Sequence, residues 1–271
     1  MELQFTKMQG IGNDFVVADC LVTSQLTEDA LQAASVFLCD RKFGIGGDGV
    51  ILVLPSDIAD YKMRIFNADG GEVEACGNAT RAVTMLVGGT SNIETLGGML
   101  NGEALNGGAK VTLAAPKFDW ESIPLAYPAD TTTLPIGWEE LRNPFAVNVG
   151  NPHVVFFVDD SDAVDLERLG PLIEHDALFP ERINVNIAMV TGPGSISLRV
   201  WERGVGITRA CGTGACATAV AAIAKKLVAS PVTVSLTGGD LQIAWERGGR
   251  IEMTGDATHV FTGTAEWDDF G

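Results

Sequence analysis

The chain has 271 residues, 46% of them hydrophobic, enough to bury a substantial core, and it carries a formal net charge of −17. A field of that sign repels nucleic-acid phosphates and anionic membrane headgroups, which argues against both as partners, and the 35 Asp and Glu are spread along the chain as a solvated surface would have them. No run approaches the roughly 20 apolar residues of a membrane helix. The start MELQFTKMQG lacks a signal-peptide layout, and five cysteines without a CxxC pair fit a reducing compartment, so a cytoplasmic protein with free thiols is expected.

Taken in chain order, DFVVADC reads as a strand, EDALQAASVFL as a helix, and GVILVL and MRIF as strands. NATRAVTMLV reads as a helix and KVTLAA as a strand. The stretch from about Pro116 to Pro144 is rich in proline and poor in periodic apolar positions, the pattern of a linker. HVVFFV follows as a strand, DLERLGPLIEH as a helix, and INVNIAMV and SLRVW as strands. GTGACATAVAAIAKKL is a helix of small residues nearly all round, suited to a domain centre, and VTVSLT, LQIAW and RIEMTG close the series as strands. Strands outnumber helices, which points to an α+β protein.

Two segments repeat. MRIFNADGGEVEACG (63–77) aligns without a gap on LRVWERGVGITRACG (198–212), pairing Arg64 with Arg199, Phe66 with Trp201, Asn67 with Glu202, Gly71 with Gly206 and Cys76 with Cys211. Upstream, GNDFVV (12–17) matches GNPHVV (150–155) in the same order. Strand-then-glycine patterns are common, but they do not account for the shared Ala-Cys-Gly. The expected fold is therefore a duplication: two similar domains, each a mixed, mostly antiparallel sheet wrapped around a central helix, with the active site in the cleft between them. The expected boundaries are 1–116 for the first domain, with the C-terminal segment 262–271 packing on it, and 117–261 for the second.

In each copy the cysteine opens a helix. A thiol there feels the partial positive charge of the helix N-terminus and can accept its unpaired N–H groups, both of which favour thiolate. The same donors at Gly77-Asn78 and Gly212-Thr213 form a cradle for a carboxylate. Removing the hydrogen next to a carboxylate builds negative charge where those donors already point, and inverting a stereocentre needs a base on one face and an acid on the other. Two cysteines, one per half, match that requirement without a cofactor. Cys20, Cys39 and Cys216 read as small core hydrophobes. A disulfide between Cys76 and Cys211 is the rival reading, and a metal site is disfavoured by the presence of only three histidines and by the spacing of Cys211 and Cys216.

FNADGGEVEACGN and WERGVGITRACGTGACA resemble the two cysteine signatures of the diaminopimelate epimerase family, and MQGIGNDFVV, DRKFGIGGDG, VGNPHVVFFV and FPERIN extend the similarity essentially end to end. The resemblance implies an isomerase that interconverts LL- and meso-diaminopimelate, a small-molecule substrate, for lysine and peptidoglycan precursor synthesis, with no pyridoxal phosphate, no metal and, as in many relatives, a homodimer. It implies that Cys76 and Cys211 are acid and base, with Gly77, Asn78, Gly212 and Thr213 holding the α-carboxylate. Asn67, Asn151, Asn184 and Arg203 would bind the remote amine and carboxylate, Asn13 and Glu202 the reacting amino end, and His153 with Glu202 would adjust the protonation of the cysteines. Many members carry CGNGARC where this chain has CGNATRA, so Ala79, Thr80 and Ala82 alter the helix start but not the acid or base.

The rivals differ in substrate or class: a racemase of histidine or proline type on the same scaffold, a relative without catalysis, or a redox protein. The distal set Asn67, Asn151, Asn184 and Arg203 favours a substrate with a second zwitterionic end.

Overall fold

A computed structural model describes residues 2–21, 28–74 and 76–266. Its residues fall into two compact units, one made of the chain up to Val111 and from Gly255 onward, the other of Thr112–Thr254.

The first unit begins with β1 (Glu2–Gly10) and β2 (Asn13–Asp19), an antiparallel hairpin, followed by α1 (Glu28–Cys39) and β3 (Gly49–Leu54), which pairs parallel to β2. Next come β4 (Tyr61–Asn67), antiparallel to β3, the short β5 (Glu72–Val73), α2 (Gly77–Val87) and β6 (Thr90–Thr95), parallel to β4. Then follow β7 (Gly98–Leu105), antiparallel to β6, and β8 (Gly108–Leu113), in which the chain leaves the unit.

The period of two along β3 divides the core. Val50, Leu52 and Leu54 join Leu38 and Cys39 of α1 on one face, while Ile51 and Val53 join Ala79, Ala82 and Val83 of α2 on the other. A strand buried on both faces has no polar side to show, which is why GVILVL reads as an unbroken apolar run. α2 is buried from Asn78 to Thr84, and β7 closes against it: a Cβ on Gly102 would lie 2.3 Å from Thr84 Oγ1.

The second unit contains a two-stranded ribbon of β9 (Gly137–Trp138) and β10 (Leu141–Arg142), and then repeats the plan of the first. β11 (Phe145–Asn148) and β12 (Pro152–Phe157) pair antiparallel, α3 (Leu166–Glu174) crosses to β13 (Asn184–Gly192), parallel to β12, and β14 (Ser195–Glu202) returns antiparallel with the short β15 (Gly206–Thr208). α4 (Gly212–Ala224) crosses to β16 (Val232–Leu236), parallel to β14, and β17 (Gly239–Trp245) follows antiparallel. The shared order of antiparallel and parallel pairings is the structural counterpart of the sequence repeat. Val154, Phe156, Val185 and Ile187 face α3, so the alternate residues of β12 and β13, among them His153 and Asn186, face α4. α4 is buried along nearly its whole length, as its small side chains require.

Two expectations are corrected. Residues 116–144 are not a linker: Ile123, Leu125, Leu134 and Leu141 are buried in the core that holds α3, each worth up to about 1.5–3 kcal/mol. The chain also returns to the first unit at Gly255, not at 262, through β18 (Ile251–Asp256) into β19 (Thr258–Glu266), which pairs antiparallel with β1; residues 267–271 lie outside those described. Among the described residues, no helix is long and apolar enough to cross a membrane.

Candidate active site

In the first unit the β1–β2 turn is Ile11-Gly12, both with positive φ (48° and 86°), a two-residue hairpin turn whose twist matches its strands. It delivers Asn13 as the next residue. Asn13 Nδ2 donates to Asp48 Oδ2 (2.7 Å), and its Oδ1 accepts from Asn78 Nδ2 (3.1 Å) and lies 3.9 Å from Cys76 Sγ. Cys76 is the extended N-cap residue of α2, half-buried, and its carbonyl accepts the first helical bonds from Thr80. A thiol is a poor substitute for the Ser, Thr or Asp that helix starts prefer, so its presence there is not a stability device. Asn78 is held in turn by Arg81 Nη2 (2.8 Å), whose side chain is fully buried. Ala75, the first residue of this Ala-Cys-Gly, lies outside those described. Gly77, Asn78, Cys76 and Asn13 thus converge, while Asn67 closes β4 half-buried, its backbone turned back on Gly70 and Gly71.

Behind Asn13 lies an ionic cluster that sequence reasoning did not assign. Asp14 accepts from Arg41 (2.5 Å) and pairs with the buried Lys7 (2.6 Å), and Arg41 reaches Asp48 (2.8 Å). Burial pushes the Asp14 carboxyl up, but the bonds from Arg41 and Lys7 outweigh it and hold it down at about 2. The signal was DRKFGIGGDG, whose Arg41 and Asp48 are these partners.

In the second unit Cys211 is the extended N-cap residue of α4 and is buried. Its Sγ accepts from Gly214 N–H (3.3 Å) and lies 3.6 Å from Thr213 Oγ1. Thr213 Oγ1 is 3.1 Å from His153 Nε2, which is also 2.9 Å from the Asn151 amide. Glu202, at the end of β14, bonds the Thr208 hydroxyl and the Cys211 thiol. Asn184 donates to Pro152 O (2.8 Å) and accepts from Arg203 N–H (2.9 Å), so its amide fastens the turn that carries Arg203; Arg203 Nη1 reaches Glu181 O (3.0 Å). The buried Glu174 steadies the same turn by accepting from Gly204 N–H (2.9 Å) and Trp201 Nε1 (2.7 Å). Asn151, His153, Glu202, Cys211 and Thr213 are thus one hydrogen-bonded group that opens on Gly212, with Asn184 and Arg203 joined to each other beside it.

Electrostatics refine the expectation of a helix-stabilised thiolate. Burial, then the Glu202 carboxylate, push the Cys211 thiol well above its ordinary value, against the opposing bonds from Thr213 and Gly214. Burial also raises Glu202, opposed by Thr208. Burial pushes His153 down to about 4, with Arg203 adding to the effect, so its ring is neutral near pH 7. Cys211 therefore rests as a thiol near pH 7. None of the five cysteines forms a disulfide, and Cys20, Cys39 and Cys216 are buried. Among the described residues, no group of three His, Cys, Asp or Glu side chains is arranged to hold a metal ion.

The sequence model of the diaminopimelate epimerase family matches residues 5–117 and 145–260. The chain is 59% identical over 270 residues to a diaminopimelate epimerase of Erythrobacter litoralis, covering 100% of both, and 59% identical over 268 residues to one of Sphingopyxis alaskensis, covering 99% of each. Among solved structures it shares its fold with a phenazine biosynthesis protein of Bacillus anthracis (TM-score 0.71, 15% identity, 98% of this chain and 99% of that one). A hydroxyproline epimerase of Agrobacterium vitis is also similar (TM-score 0.67, 15% identity, 97% and 92%).

Proposed function

Because the chain belongs to the diaminopimelate epimerase family, we propose that it interconverts LL- and meso-diaminopimelate by two-base proton transfer between Cys76 and Cys211. The observation that carries this reading is that each unit ends a strand-and-glycine turn in a cysteine-capped, buried helix, Cys76 on α2 and Cys211 on α4. The first amides of a helix have no intrahelical acceptor, so Gly77-Asn78 and Gly212-Thr213 are suited to the α-carboxylate, and they meet the charge that grows on it as the α-proton leaves. One thiolate takes that proton from one face while the other cysteine, as thiol, returns a proton to the opposite face. In that scheme the raised Cys211 supplies the proton in the resting enzyme, and Glu202 and His153 set its protonation.

Asn13 and Glu202 are read as holding the reacting amino end. Asn67, Asn151 and Arg203 hold the distal end, where the Arg203 guanidinium can grip a carboxylate through two parallel bonds. Asn184 contributes through its hold on Arg203. The enzyme is read as a cofactor-independent cytoplasmic homodimer, which sedimentation of the purified chain checks.

The deciding experiment incubates reduced protein, without added cofactor, with LL-diaminopimelate in deuterated water. Meso product carrying solvent deuterium at the α-carbon is expected. Absence of both conversion and exchange would overturn the reading and direct testing to histidine, proline and hydroxyproline.

A further inference from the structure

Asn186 stands on β13 facing α4 and is fully buried. Its Nδ2 lies 2.9 Å from Gly214 O and 2.9 Å from Thr218 Oγ1, and its Oδ1 lies 3.1 Å from His153 Nδ1. A backbone carbonyl can only accept, so the end of the amide that faces Gly214 must be the NH2 group. Both of its hydrogens are then spent on the first turns of α4, and the opposite end can only accept. His153 Nδ1 must therefore carry the proton, and Nε2 must be bare.

We propose that Asn186 is a positioning residue which locks His153 in its Nδ1–H tautomer and thereby turns the Thr213 hydroxyl beside Cys211 toward the ring. A bare Nε2 accepts, so the Thr213 hydroxyl at 3.1 Å donates to it, and the Asn151 amide, whose Oδ1 stands 2.9 Å from Nε2, must turn over to present its NH2 group to the ring. With its proton committed to His153, Thr213 Oγ1 faces Cys211 Sγ, 3.6 Å away, with a lone pair, and the thiol proton is left to the Glu202 carboxylate. The chain of donors runs Thr213 to His153 to Asn186, and ends in the α4 backbone that also carries Cys211. Asn186 is thus a polar group in the core whose two donors and whose oxygen are all bonded, the condition under which such a group specifies a geometry instead of only costing desolvation. Its bearing on catalysis rests on the reading of Cys211 as one of the two acid–base groups; the tautomer itself does not.

The test reads the tautomer directly. The chain has three histidines, and His175 and His259 are both exposed. In H175Q/H259Q protein labelled with 15N-histidine, long-range 1H–15N spectra of the free enzyme should show one neutral ring protonated at Nδ1. A ring protonated at Nε2 would overturn the proposal, whatever substrate the enzyme turns over. In Asn186→Leu the ring should lose its single tautomer and report an average of both, and kcat should fall up to about tenfold, the weight of one hydrogen bond, with KM nearly unchanged. A lower kcat with the Nδ1–H signal intact would also overturn it. Should Asn186→Leu not fold, Asn186→Asp keeps the acceptor and should keep the Nδ1–H signal; its loss would count against Asn186 as the locking group.

Discussion

The helix starts at Cys76 and Cys211 have the same backbone and different surroundings, and the difference separates what duplication supplies from what divergence adds. Both cysteines cap a buried helix in extended conformation, and the residue two places on ties each helix to the preceding half-repeat: Asn78 to Asn13 in one unit, Thr213 to His153 in the other. Five places on, α2 has the buried Arg81 where α4 has Cys216, and at the end of the preceding strand β4 has Asn67 where β14 has Glu202. One half buries a guanidinium, and the other sets a half-buried carboxylate beside its cysteine. The same helix start is therefore given opposite local charge in the two units.

The largest test of this comparison removes one sulfur at a time. Cys76→Ala and Cys211→Ala should each lower conversion of LL- to meso-diaminopimelate by about 10²–10⁴-fold, the usual weight of a positioned acid or base, as read by product formation in deuterated water. Cys39→Ala, at the buried end of α1, should change stability and leave the rate alone. Comparable turnover in all three would end the two-cysteine account.

Next in size is the contrast at the fifth position. Arg81→Met leaves Asn78 Oδ1 without its 2.8 Å donor, which should cost about 1–3 kcal/mol in urea unfolding. Cys216→Ala, at the matching place in α4, should cost about 1 kcal/mol, as the loss of one buried sulfur. Equal costs would mean that the guanidinium is only filling space.

Much of this was legible in the chain. GVILVL, INVNIAMV and the two small-residue helices announced themselves because they are buried on every side, and the Ala-Cys-Gly repeat pointed to both helix starts. β1 and β19 are absent from the apolar runs for a physical reason: ELQFTKMQG alternates, with Leu3, Phe5 and Met8 buried, and THVFTGTAE is exposed almost throughout, so neither shows an unbroken apolar stretch. Lys7 was hidden by the same alternation, sitting on a buried face only because Asp14 waits across the hairpin. Asn186 lay inside a strand that reads as core, and nothing in its spacing distinguishes a polar residue that will be fully bonded from one that will be tolerated. The proline-rich 116–144 misled for the converse reason: its apolar residues are irregularly spaced, yet they still bury.

The resting state of His153 gives a test by stability. Its pKa falls from 6.5 to about 4 on folding, so the stabilisation is fully present above pH 6.5 and is lost as pH falls toward 4, when the unfolded chain takes a proton the folded one refuses. The loss should be on the order of 3 kcal/mol. His153→Asn should lack it, so the difference between wild-type and variant unfolding free energies should change across that window and be flat above it. A constant difference from pH 7 to 4 would mean that the buried ring titrates as an exposed one does.

The smallest expected effect lies at Thr208, whose hydroxyl bonds the Glu202 carboxylate. Burial raises the Glu202 pKa and the Thr208 bond opposes that rise, so Thr208→Val should raise it further. If the carboxylate form of Glu202 is what keeps Cys211 protonated, the acidic limb of the rate profile should move to higher pH in the variant while the plateau stays near wild type. The other half supplies the control, because Asn67, at the matching strand end, cannot titrate, so no substitution beside it should move that limb. Movement of the acidic limb on changing Asn67 to Ala, with Thr208→Val silent, would reverse the assignment of which cysteine is governed by a neighbouring acid.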